Sequence, residues 1–207
     1  PTAFVRSPPM KLIGVYLSPY VRRVAAALIS RGLPYEHVPV NGYREYEVAS
    51  RYNPVGKVPS LVLDDGEILI DSNVIIDYLN ELVPTAPLIP AGSSARRATL
   101  KLAAIGYGVA EQAIRLYGRG PAAPETDMKR WRAQIHGGLH ALDEAAREGG
   151  PLRAKPLDVA AITAVVAVEL LILLKPDFEL FPAFPALAAL AAEQRDAASF
   201  AQTRPTR

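Results

Sequence analysis

The chain has 207 residues, half of them apolar and 21% charged, enough for one large domain or two small ones with a real hydrophobic core. A formal net charge of +2, with no block of like charge, gives a nucleic-acid partner little electrostatic support. Cysteine is absent, which removes disulfides, thiolate zinc sites and every mechanism that needs a protein thiol.

Residues 1–9, "PTAFVRSPP", lack the apolar core of a signal peptide and read as an extension or cloning scar ahead of a natural start at Met10. "KLIGVYL" is β-branched and apolar, hence a strand. A helix follows from Pro19 to Arg31-Gly32, with Gly32 as its left-handed C-terminal residue. "YEHVPV" alternates as a second strand, and "YREYEVASRY" reads as a short irregular helix. In "SLVLDDGEILID" the Asp65-Gly66 pair favours a tight hairpin turn. "SNVIIDYLNELV" then places Val74, Ile75, Tyr78, Leu79 and Leu82 on one helical face, giving the order βαβαββα over residues 10–83.

The three prolines of "VPTAPLIPAGSS" mark a linker over 84–93. Beyond it, over 94–207, β signals vanish and helical stretches are expected at about 94–118, 126–148, 158–174 and 185–197. Trp131, Ile135, Leu139 and Leu142 recur at helical spacing and read as core. The apolar run from Val159 to Leu174 contains Glu169 and Thr163. At about 16 residues it is short of the roughly 20 that a membrane span needs, so it reads as a buried core helix.

Three stretches carry chemistry. "SPYV", residues 18–21, has the shape of a thiol-redox site with both sulfurs missing. It puts the Ser18 hydroxyl where a helix start offers unsatisfied N–H groups, a place that stabilises an anion or serves as a plain N-cap. "NPVGKVPSL", residues 53–61, sets a proline just before a strand. A cis Val58-Pro59 bond would turn Val58 so that its N–H and C=O meet a ligand, and a trans proline at a strand edge is the plain alternative. In "IDSNVIIDYL", Ser72 would cap a helix whose first N–H groups bind a carboxylate while Asp71 meets an ammonium group.

In this order, and followed by a proline linker and a helical domain, these motifs resemble the glutathione transferase family, in its serine-using bacterial form. The resemblance runs from Met10 to about Pro205 and includes the ending "FPALAALAAEQRDAASFAQTRP". It implies a thioredoxin-like βαβαββα domain followed by a helical-bundle domain, in a cytoplasmic homodimer. Glutathione would be the co-substrate and a small hydrophobic electrophile its target, with no metal or permanently bound cofactor, no nucleic acid and no membrane.

Residue by residue, the resemblance makes Ser18 the hydroxyl that donates to the glutathione sulfur, with Tyr16 and Tyr20 as rival hydroxyls. Val58 beside cis Pro59 would pair with the tripeptide backbone, and Asp71 and Ser72 would hold the γ-glutamyl end. Lys57 and Arg44 would reach the glycine carboxylate. Tyr20 and Tyr107 would line the electrophile pocket, with Tyr117 and Trp131 as lining or core, and Gly106 and Gly108 would leave room for a ligand or a close helix. A non-catalytic binding protein of the same fold and a glutathione-dependent isomerase or dehalogenase are the alternatives.

Other residues read more plainly. Asp158 is expected to cap the apolar helix, with Ala161 at the position where many family members carry Asp, and with Leu157 and Ile162 as a hydrophobic staple. His136 and His140, four apart, permit metal binding by spacing but have no evident third ligand, so a packing or surface role is expected. Arg22 and Arg23 read as a partly solvated helix face in contact with the helical domain.

Overall fold

The computed structural model describes residues 10–118, 123–175, 178–180 and 182–205. The N-terminal extension lies outside them. Four strands and three helices form the first unit: β1 Met10–Ile13, α1 Pro19–Ser30, β2 Tyr35–Val38, α2 Tyr46–Ala49, β3 Ser60–Val62, β4 Ile68–Leu69 and α3 Ser72–Leu82. The sheet order is β2-β1-β3-β4, with β1 parallel to β2 and antiparallel to β3, and β3 antiparallel to β4. This is a thioredoxin-like domain, followed by a helical one.

The strand expected over "KLIGVYL" stops at Ile13, because Gly14 takes φ +136° and leads the chain out of the ladder. The expected turn glycines behave as predicted: Gly32 has φ +65° after α1, and Gly66 has φ +92° in the β3–β4 hairpin. One expectation for α3 fails. Its buried face is Ile75, Ile76 and Leu79, whereas Val74 is 50% exposed and Leu82 is also exposed. Two adjacent buried residues are compatible with a wide apolar stripe, which a strict i, i+3, i+4 count from Val74 misplaces.

The helical unit comprises α4 Ser93–Ala113, a π-helical turn Ile114–Gly118, α5 Glu125–Glu148, a 3₁₀ turn Gly150–Arg153, α6 Val159–Leu174, α7 Pro185–Gln194 and α8 Ala198–Ala201. The helix expected at 185–197 ends at Gln194, and a further short helix, α8, begins beyond that stretch at Ala198. α6 is apolar on every side and buried along nearly its whole length, as a helix with no polar face must be. No helix among the described residues is long and apolar enough to cross a membrane. α4 and α6 approach closely at Gly106, where a Cβ would come within 3.3 Å of Thr163 and Ala164.

Asp158 is the N-cap of α6, accepting from the N–H groups of Ala160 at 2.9 Å and Ala161 at 3.1 Å. Thr99 of α4 donates to its other oxygen at 3.0 Å, so the cap also ties two helices together. One apolar cluster runs from Leu12, Val24 and Leu61 through Ile75 and Leu79 into α4, α5 and α6, making the two units share a core. A smaller cluster of Ile13, Val40 and Ala49 lies apart from it.

Arg22 and Arg23 correct the expected solvated face. They are only 2% and 3% exposed. Arg22 forms an ion pair with Glu169 of α6 and also donates to the Thr203 hydroxyl at 3.4 Å and the Phe200 carbonyl at 3.3 Å. The expected contact with the helical domain is therefore made by buried cations rather than exposed ones, Arg22 meeting α6 and α8 and Arg23 approaching the Tyr107 ring of α4.

Candidate functional site

The loop from β1 to α1 carries the first group of candidates. Gly14 opens it, and a Cβ there would lie 2.4 Å from Val21 and 3.0 Å from Val58, so glycine lets the loop and the Val58 segment meet. The Gly14 carbonyl accepts from His37 Nε2 at 2.7 Å. Ser18 is the N-cap of α1, its Oγ accepting from the Val21 N–H at a long 3.4 Å, and Pro19 follows in the first turn.

The rival hydroxyls are engaged elsewhere. Tyr16 stacks on His37 with ring centroids 4.0 Å apart, and its hydroxyl pairs with that of Tyr35 at 2.9 Å. Tyr20 turns towards Tyr107 of α4, with ring centroids 4.8 Å apart. Burial, reinforced by Tyr107 and Glu111, pushes the Tyr20 hydroxyl well above its ordinary value and makes it a poor acid.

The Val58–Pro59 bond is cis. β3 begins at Ser60, so the Val58 backbone stands just outside the ladder. Buried Asn53 shapes the approach to it: Nδ2 donates to the Lys57 carbonyl at 2.9 Å and Oδ1 accepts from the Val55 N–H at 2.9 Å. Lys57 is exposed beside this segment, and Arg44 is exposed in the turn after β2. Neither side chain forms an ion pair among the described residues.

At the start of α3 the expected roles are exchanged. Asp71 is the N-cap, its Oδ1 accepting from the Asn73 N–H at 2.8 Å, and Ser72 is the first helical residue. The Asp71 side chain is exposed, while Ser72 is 1% exposed. Buried Arg23 reaches this turn from α1. Its Nη1 donates to Ser72 Oγ at 3.3 Å and to Asn73 Oδ1 at 2.9 Å, and its guanidinium lies 5.8 Å from the centre of the Tyr107 ring. Burial pulls Arg23 down to about 10, opposed by Tyr107, Asp71 and Tyr20. Sequence reading missed Arg23 and Asn73 as parts of the site. The usable signal was an arginine one helical turn past the Ser18-Pro19 start, on the side of α1 that meets α3.

Tyr20, Tyr107, Arg23 and Asp71 thus share one electrostatic neighbourhood, whereas the side chains of Lys57 and Arg44 make no contact that draws them into it. Glu111 and Arg115, paired at 2.9 Å, extend the Tyr107 face along α4 and its π-helical turn. A cavity of about 500 Å³ lies between α3 and α4, bordered by Arg23, Asn73, Asp77, Arg96, Leu100 and Tyr107 among others. Tyr117 and Trp131 pack against the core. Gly106 accommodates the close helix, and Gly108 faces open space. His136 lies against Phe178 and Phe184, and His140 Nδ1 lies 3.6 Å from Glu144. No group of three or more metal-ligating side chains occurs among the described residues.

Known proteins are similar to this chain in sequence and in fold. Residues 12–87 match the family described as the N-terminal domain of glutathione S-transferase. The uncharacterized GST-like protein YibF of Escherichia coli K12 is 32% identical over 165 residues, covering 77% of this chain and 80% of that protein. A maleylacetoacetate isomerase from Pseudomonas aeruginosa is 41% identical over 85 residues, which is 39% of this chain and 40% of the isomerase. A crystal structure of a glutathione S-transferase from Methylobacillus flagellatus KT with GSH bound superposes with a TM-score of 0.87 at 29% identity, covering 95% of this chain and all of that one.

Proposed function

The chain belongs to the glutathione S-transferase family, and from that premise we propose that it activates the thiol of glutathione at Ser18 for attack on a small hydrophobic electrophile. The observation that carries this reading is the state of the three nearby hydroxyls. Tyr16 is paired with Tyr35 and Tyr20 is turned to Tyr107, while Ser18 makes one long bond as an acceptor and keeps its proton to donate.

A free thiol ionises near 8.5, so only a few per cent is thiolate at neutral pH. A hydroxyl donor at the positive end of α1 favours the charged form, and each unit of lowering corresponds to about 1.4 kcal/mol. Ser18 then donates to the nucleophile and is not itself the nucleophile. In this reading Val58 pairs with the tripeptide backbone beside cis Pro59, and Asp71 and Ser72 hold the γ-glutamyl end. Lys57 and Arg44 reach the glycine carboxylate, and Tyr20 and Tyr107 face the electrophile. Exposed Val74 and Leu100, beside the Asp77–Arg96 pair, support association of two copies. The reaction takes place in the cytoplasm, where reduced thiol is available.

The test is a pH titration of bound glutathione by thiolate absorbance. The wild type is expected to show a thiol pKa depressed by about one unit or more, and Ser18→Ala returns it towards the free value. An unchanged titration reduces Ser18 to a helix cap.

A second reading, isomerisation or dehalogenation, draws on the isomerase likeness, which is confined to 85 residues and leaves most of the chain unmatched. Product analysis separates the two, because conjugation consumes glutathione and isomerisation returns it. Retention on immobilised glutathione without turnover of any electrophile would instead mark a binding protein.

A further inference from the structure

Gly14 follows β1 with both of its backbone polar groups fastened to β2. Its N–H donates to the Val38 carbonyl at 2.9 Å, which carries the pairing with β2 one residue past the end of the strand. There the chain leaves the ladder at φ +136°, and the buried Gly14 carbonyl accepts no backbone N–H among the described residues. The His37 side chain supplies the donor instead, at 2.7 Å. A carbonyl only accepts, so this contact puts a proton on Nε2 and fixes the orientation of the imidazole.

The same side chain meets the loop a second time. The Ser18 N–H donates to the Val15 carbonyl at 3.0 Å, closing residues 15–18 into one turn directly after Gly14. Tyr16, inside that turn, lies on the His37 ring with the two planes 5° apart. The turn is therefore held at its start through the Gly14 carbonyl and on its side through the Tyr16 ring, and it ends on Ser18. Ser18 is an N-cap with extended backbone, φ −72° and ψ 121°, so the turn before it directs its hydroxyl as much as the helix after it.

We propose that His37 is a positioning residue of the thiol site: by holding the Gly14 carbonyl it fixes the turn that delivers the Ser18 hydroxyl to the glutathione sulfur. His37 takes no proton in the reaction and acts through Ser18. A hydrogen bond weakens steeply as its geometry departs from the ideal, so a small shift of the turn weakens the bond to the thiolate. This inference rests on the proposed role of Ser18.

The experiment is the thiolate titration of saturating glutathione on His37→Asn, His37→Gln, Ser18→Ala and the double variant His37→Asn/Ser18→Ala. Glutamine places an amide N–H where Nε2 stands, whereas asparagine is one methylene too short to reach the Gly14 carbonyl. Both are polar and uncharged at a half-buried strand position, so both fold, and charge does not distinguish them. His37→Asn is expected to raise the thiol pKa by about half a unit, while His37→Gln stays within about 0.2 units of the wild type. In the Ser18→Ala background His37→Asn adds nothing, because the hydroxyl it would misplace is already gone. A merely structural His37 would lower the urea midpoint and leave the thiol pKa of the folded protein unchanged. That result overturns the inference, as does a rise in His37→Gln equal to that in His37→Asn, or an additive double variant, while the effect of Ser18→Ala keeps the glutathione reading intact. Ser18→Ala without effect overturns both.

Discussion

At the scale of the residue, the three hydroxyls near the start of α1 are separated by their partners rather than by their chemistry. Sequence could name Tyr16, Ser18 and Tyr20 as candidates because all three lie within five positions, but it could not show where each ring turns. Tyr16 is drawn to β2 by its stack on His37 and its bond to Tyr35, contacts that depend on the parallel β1–β2 pairing between segments far apart in the chain. Tyr16→Phe therefore removes a hydrogen bond and nothing from the proposed thiol site. It is expected to lower stability by about 1 kcal/mol in urea denaturation while the thiol pKa of bound glutathione stays at its wild-type value. A thiol pKa that rises in Tyr16→Phe as far as in Ser18→Ala would return the activating role to the tyrosine. Arg23 shows the opposite limit of sequence reading. An arginine on an otherwise apolar helix looks solvated by default, and only the packing of α3 against α1 reveals a buried cation.

At the scale of the element, the helix starts were the most legible features. Ser18-Pro19 and Asp158 cap as expected, because capping depends on residues adjacent in the chain. The exchange of roles between Asp71 and Ser72 is a slip of one position, the usual uncertainty of helix ends. Asp158 does more than its sequence context announced, since Thr99 of α4 donates to the same carboxylate. Asp158→Ala is expected to cost about 2 kcal/mol, from the lost cap together with the unpaired Thr99.

Burial holds the Asp158 carboxyl above its ordinary 3.8, with its hydrogen bonds and Arg31 acting in the other direction. The folded chain therefore holds this proton more tightly than the unfolded chain. The associated stability is fully present below 3.8 and declines as pH rises through the folded value. Asp158→Asn does not titrate. The stability of the wild type relative to Asp158→Asn should thus be greatest at the acid side and shrink with rising pH, and a difference that grows with pH would refute the assignment.

At the scale of the whole molecule, the division into a βαβαββα unit and a helical unit was readable because hydrophobic periodicity changes at the proline-rich stretch after α3. How the two units join was not readable, because the joint is made by residues far apart in the chain. Val24 and Leu79 belong to the same apolar cluster as Val109 and Leu139. Within that joint, Arg22 of α1 meets Glu169 of α6 and the Phe200 carbonyl of α8, more than 140 positions away in each case. Arg22 is buried and Glu169 partly exposed, so removing the cation leaves a partly desolvated carboxylate without its partner, which costs roughly 1–3 kcal/mol. Arg22→Met fills the space without the charge and strands Glu169, so its urea midpoint should fall accordingly. Trp131, the sole tryptophan, lies in α5 and reports on the helical unit by fluorescence, while far-ultraviolet circular dichroism reports on both units. In the wild type the two signals should change together, because a shared core couples the units. If Arg22 is a principal tie, the signals separate in Arg22→Met. A midpoint that falls while the two transitions still coincide would make the apolar cluster the coupling, with Arg22 contributing to stability alone.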